Sequence, residues 1–135
     1  MNTVAVDTNI LVDAFHGDES FRPVLAAASR ILVSPVVYAE FMAGFDDTRA
    51  GREAKDRFQS FLNISTAFMP TIGRETADIH ALIQRQLRAA GTPIPQNDIW
   101  IAASALEHGA ALCTRDTHFR SVANLLIVPD PAAHD

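Results

Sequence analysis

Apolar positions fall into short blocks separated by longer amphipathic stretches. Val4-Ala5-Val6, Ile31-Leu32-Val33-Ser34, Ala111-Leu112-Cys113-Thr114 and Leu125-Leu126-Ile127-Val128 are too short for helices and too apolar for loops, so they read as buried strands. Ala67-Phe68-Met69, ended by Pro70, is a further candidate. Helical patterns fill the gaps. One starts at Thr8 or Asn9 as cap, uses Ile10-Leu11-Val12 and Phe15 as its apolar face, and ends at Gly17. A second covers about 19–29, and a third is opened by Pro35 and runs to Gly44 or Phe45. Residues 49–62 are charged and amphipathic, with Phe58, Phe61 and Leu62 on one side. A long helix over 74–90 places Ile79, Leu82, Ile83 and Leu87 at helical spacing before Gly91. Thr92-Pro93-Ile94-Pro95 is a rigid connector to a helix over 97–108, closed by Gly109, and a short helix is expected near 116–122.

Short apolar strands alternating with helices predict an α/β fold: one domain over residues 1–135, a three-layer sandwich around a mainly parallel sheet of about five strands. Such sheets bind ligands beyond the carboxyl ends of their strands. That rule directs attention to the acids. Asp7 directly follows the first strand and Asp116 comes two residues after the fourth, so both are expected at one sheet edge. Each alone reads equally well as a cap. Glu40 sits in the otherwise apolar Val36-Val37-Tyr38-Ala39-Glu40-Phe41-Met42, on the side of Val36, Val37 and Phe41. No Lys or Arg lies between Ser34 and Asp47. A carboxylate in such surroundings must neutralise, pair with a distant base or bind a cation. Asp98 heads its helix, where the dipole alone could account for it. Four acids at corresponding ends of α/β elements are harder to treat as independent caps.

The net charge of −5 disfavours broad electrostatic binding of nucleic acid, but setting aside four acids as metal ligands leaves −1. The lone Cys113 excludes an internal disulfide and reads as a core residue. No apolar run reaches the length of a membrane span, and the N-terminus lacks a secretory pattern, so a cytoplasmic protein without membrane association is expected. Hard carboxylate oxygens without a Cys/His cluster suit Mg²⁺, with Mn²⁺ as substitute, and such a centre hydrolyses phosphodiesters. A phosphate-cradling glycine motif is absent, which argues against nucleoside triphosphates.

The pieces Val6-Asp7-Thr8-Asn9, Tyr38-Ala39-Glu40, Asn97-Asp98-Ile99-Trp100-Ile101-Ala102-Ala103 and Thr114-Arg115-Asp116-Thr117-His118-Phe119, in that order, resemble a PIN domain of the VapC toxin type over nearly the whole chain. The resemblance implies a Mg²⁺-dependent endoribonuclease acting on RNA, usually a homodimer, inhibited by a small VapB-like antitoxin whose C-terminal segment occupies the active-site groove. It carries the acidic ligands onto Asp7, Glu40, Asp98 and Asp116, with Asp7 and Asp98 as principal ligands and Asn9 and Thr114 in support. Arg115, beside Asp116, is a candidate RNA contact, with Arg120 flanking on the other side. His118 reads as a helix-start or packing residue, Asp13 as pointing elsewhere, and Trp100 as core or dimer interface. Arg49, Arg52, Lys55 and Arg57 are interleaved with Glu53 and Asp56, which reads as a solvated face. Two other functions compete. A phospho-aspartate enzyme would want a second Asp where Asn9 stands, or a late-strand Lys where none exists. A non-catalytic module would use the acidic pocket only to dock a basic partner segment.

Overall fold

The computed structural model describes residues 2–129; the domain expected over 1–135 extends past these limits at both ends. Five strands form one parallel sheet: β1 (Thr3–Val6), β2 (Arg30–Leu32), β3 (Ala67–Phe68), β4 (Ala111–Cys113) and β5 (Ile127–Val128), in the order β3-β2-β1-β4-β5. Val4 pairs with Ile31 on one side of β1 and with Ala111 on the other. Six helices intervene: α1 (Thr8–Phe15), α2 (Arg22–Ala27), α3 (Pro35–Gly44), α4 (Arg49–Leu62), α5 (Arg74–Ala90) and α6 (Gln96–Glu107). A 3-10 turn, Thr117–Ser121, links β4 to β5.

Sheet order explains where a site can form. From β1 the chain steps outward to β2 and β3, then returns through α5 and α6 to β4 on the far side of β1. Right-handed crossovers place outward and return connections on opposite faces, so a crevice opens between β1 and β4 at their carboxyl ends. The core explains why the crevice is rigid. Val4, Ala5, Val6, Leu112 and Cys113 are buried in the sheet, and Ile99, Ile101, Ala102 and Ala103 bury one side of α6. Phe58 of α4 stacks on Phe41 of α3 with ring centroids 4.1 Å apart, and Phe15 of α1 meets both edge-on. Ser34 caps α3 by accepting the Val37 N–H at 3.1 Å. That bond and Pro35 at the first helical position fix where α3 begins. Burial holds the Cys113 thiol up at about 12, in keeping with a core residue.

Three local expectations need correction. The second helix spans only Arg22–Ala27, not 19–29. Asp18 Oδ1 accepts the Ser20 N–H at 2.8 Å, a local turn that competes with helix, and Ala28 is already extended on the way to β2. The last strand is Ile127–Val128. Leu126 still accepts a ladder bond from the Leu112 N–H at 2.8 Å, but its side chain is 71% exposed on this edge strand. On α5, Ile83 and Leu87 are buried while Leu82 is exposed, so the buried stripe is narrower than the apolar pattern. Trp100 is half-buried against His80 of α5, with ring centroids 4.1 Å apart.

Candidate metal centre

Asp7 is the N-cap of α1, so its position follows from the strand-to-helix junction itself. Its backbone N–H donates to the Cys113 carbonyl at 3.1 Å, tying it to the end of β4. Oδ1 accepts the Thr8 N–H at 2.8 Å and Oδ2 accepts the Thr114 hydroxyl at 2.8 Å. Thr114 Oγ1 in turn accepts the Asp116 N–H at 2.9 Å, so one buried hydroxyl links two of the acids. Glu40 arrives from α3. Its Oε1 accepts the Thr8 hydroxyl at 2.6 Å, and its Oε2 accepts the Asn97 amide at 3.3 Å. No ion pair engages Glu40 among the described residues, so the distant arginine considered as its partner is not found there.

Asp98 lies in the first turn of α6 and Asp116 caps the 3-10 turn, accepting the His118 N–H at 2.9 Å. The His118 ring closes the group: Nδ1 is 3.1 Å from Asp116 Oδ1 and 3.7 Å from Asp98 Oδ2. One donor atom from each of Asp98, Asp116 and His118 lies within 4.8 Å of the others. Electrostatics records the crowding. Burial, joined by the charges of Asp7, Asp116 and Glu40 and opposed by His118, lifts the Asp98 carboxyl to about 6. Burial also raises Asp7 above its ordinary value, against the Thr114 and Thr8 hydrogen bonds, while Asp116 and Glu40 add to the rise. Acids that resist ionisation because they are buried beside one another form a ready place for a cation.

The sequence profile of the PIN domain matches residues 4–125. A curated relative, Ribonuclease VapC4 of Mycobacterium tuberculosis, is 33% identical over 97 residues, covering 71% of this chain and 74% of that protein. This chain belongs to the PIN-domain family, in its VapC group. Solved structures share the PIN fold at lower identity. VapBC2 of Rickettsia felis, bound to a promoter DNA fragment, aligns with a TM-score of 0.80 at 23% identity, covering 93% of this chain and 96% of that one. DNA-bound VapBC of Salmonella typhimurium gives 0.80 at 22%, covering 94% and 97%. FitAcB of Neisseria gonorrhoeae gives 0.73 at 22%, covering 98% and 99%.

Within this PIN domain, the side chains around the acids depart from the sequence expectations at several points. Asp13 does not point elsewhere: it lines a pocket of about 310 Å³ with Asp7, Asn9, Arg115 and Asp116. Helical spacing alone turns Asp13 away from Asp7; its ion pair with Arg115 brings the carboxylate to the same wall. Asn9 is an exposed member of that wall. Arg115 is held by two carboxylates, Nη1 to Asp13 at 2.5 Å and Nη2 to Asp18 at 2.6 Å, and its guanidinium lies 4.4 Å from the centre of the Phe21 ring. His118 is more than a helix-start residue, since its ring faces two of the acids. Thr8 and Asn97 were missed as site residues, although both sat inside the motifs. Their side chains bond Glu40 from elements far apart in sequence, which no local pattern reveals.

Proposed function

We propose that this PIN domain is a metal-dependent endoribonuclease, the toxin of a VapBC-type pair, that hydrolyses RNA at Asp7, Glu40, Asp98 and Asp116. The observation that carries this reading is geometric: Asp98 packs beside Asp116 and His118 with donor atoms within 4.8 Å of one another, and among the described residues no basic side chain but His118 stands against it. A structural acid would have been given an arginine or a ring of N–H donors. The name of the curated relative, a ribonuclease, supports the reaction class. The toxin–antitoxin assemblies named for the structural relatives support an antitoxin partner and a matching inhibitory role.

The donor set fits Mg²⁺ or Mn²⁺. Carboxylate oxygens dominate, His118 adds one nitrogen at the rim, and no cysteine is near enough to favour zinc, since Cys113 is buried in β4. Asp7 and Asp98 would be the principal ligands, with Glu40 and Asp116 directly or through water. A bound divalent ion supplies Lewis-acid polarisation of the phosphoryl group and favours deprotonation of an attacking water. The chain's own contribution is to hold charge in place. Thr114 and the Thr8 N–H keep Asp7 in one orientation, and Thr8 and Asn97 do the same for Glu40. Asp98, with its raised pKa, gives up its proton as the cation arrives, so ionisation of this carboxyl and metal loading are coupled.

The test is cleavage of RNA by the purified protein. Cutting with Mg²⁺ or Mn²⁺, stopped by EDTA and absent in Asp98→Asn, is the expected result. Cleavage that survives EDTA would sink the mechanism.

A further inference from the structure

A second cleft adjoins the acids. It measures about 360 Å³ and lies between the α1–α2 loop and the 3-10 turn, walled by Phe21, Arg120 and Ile127. Its size falls near the lower end for small-ligand sites, enough for one nucleoside but not for a folded element. Thr114, Arg115 and Asp116 belong to this cleft too, and Arg115 and Asp116 also line the pocket that holds Asp7. The two cavities therefore open onto the same two residues. A polymer with one phosphate in the pocket of Asp7 and Asp116 would carry its neighbouring unit toward the second cleft.

Charge narrows the occupant. The Asp7 pocket is anionic, so a polyanion needs cationic help close by. Arg115 has two of its N–H groups committed to Asp13 and Asp18 and one face to Phe21. Arg120 is exposed and makes no ion pair with any described residue. It is the cation on offer at the cleft. Half-buried Phe21 and Ile127 supply an apolar seat of the kind that holds unstacked bases in single-stranded RNA. We infer that this cleft is a subsite for the RNA nucleotide adjoining the scissile bond, with Arg120 taking its outer phosphate. The inference rests on the nuclease reading above and adds a substrate-positioning residue to it.

The test uses the full chain. Binding of a fluorescein-labelled 10-nucleotide RNA is measured by anisotropy in the Asp98→Asn background, with and without Arg120→Ala, across a salt series. Arg120→Ala should raise Kd about five- to tenfold and lower the salt slope by about one, the mark of one lost phosphate contact. Arg120→Lys should restore most of the affinity, and Mn²⁺ affinity of the otherwise wild-type Arg120→Ala protein should be unchanged. Arg49→Ala, which alters an exposed cation on α4, is the control for general charge and should leave Kd within about twofold. Wild-type protein that neither binds nor cleaves RNA overturns the nuclease reading and this one together. Wild-type cleavage with unaltered Arg120→Ala affinity and slope, or an equal loss in Arg49→Ala, overturns the subsite alone.

Discussion

Thr114→Val removes one hydroxyl and almost nothing else, and the structure makes its cost calculable. Thr114 is 5% exposed; its hydroxyl donates to Asp7 Oδ2 at 2.8 Å and accepts the Asp116 N–H at 2.9 Å. A hydrogen bond to an ionised carboxylate contributes about 1.5–3 kcal/mol, and leaving a half-buried N–H without a partner costs about 1 kcal/mol more. Valine keeps the volume, so no cavity adds to this. Part of the loss is offset because Asp7, already raised by burial, takes up a proton more readily once the Thr114 donor is gone. The expected net destabilisation is about 2–3 kcal/mol near neutral pH. Urea unfolding of the metal-free protein should show it as a lower midpoint at unchanged slope. The deficit should shrink as pH falls, because the hydroxyl lowers the Asp7 pKa and its benefit disappears when Asp7 is protonated. Thr114→Ser, which retains the donor, should lose less than about 1 kcal/mol. A Thr114→Val protein within about 0.5 kcal/mol of wild type would refute the claim that this hydroxyl holds the Asp7 carboxylate.

Other consequences follow from the same geometry. Asp98 titrates at about 6 against an ordinary 3.8, so the folded chain holds its proton more tightly than the unfolded one. Its stabilising contribution is present below about pH 4 and lost as pH rises to about 6 in metal-free protein. The cation competes with that proton, so Mn²⁺ affinity measured calorimetrically should climb up to about tenfold per unit toward pH 6 and level off above it; equal affinities at about pH 5 and 7 would contradict this. Glu40→Gln keeps the shape of the pocket but removes a charge. RNA cleavage should fall at least about tenfold, whereas a module that merely docks a basic segment would tolerate the change. Ser34→Ala removes the cap that sets the start of α3, and chemical denaturation should register a loss of about 1 kcal/mol.

Sheet and helices were legible because burial imposes period and length: β1, β4, α3 and α5 fall where their apolar runs and punctuating Gly, Pro or Ser residues put them. Less legible were segments governed by side-chain-to-backbone bonds. The Asp18–Ser20 turn shortens α2, and the edge position of β5 turns Leu126 outward. The acids themselves were readable from position after strands or at helix starts, and Glu40 from its apolar surroundings. The links among them were not. Thr8, from the start of α1, and Asn97, from the start of α6, meet on Glu40 across 32 and 57 residues, and Arg115 reaches Asp13 and Asp18 across 102 and 97. Such contacts exist only once sheet order brings α1, α3, α6 and the β4 loop to one edge. Arg115 shows what a cation beside an acid does not reveal in sequence: two of its N–H groups are held by Asp13 and Asp18.

If these carboxylates form one divalent-cation site, calorimetric titration of Mn²⁺ near neutral pH will register it. Wild-type protein should bind Mn²⁺ saturably, release protons on binding, and lose at least about tenfold in affinity on Asp98→Asn with its fold intact. No binding by wild type, or equal binding by Asp98→Asn, would contradict the account.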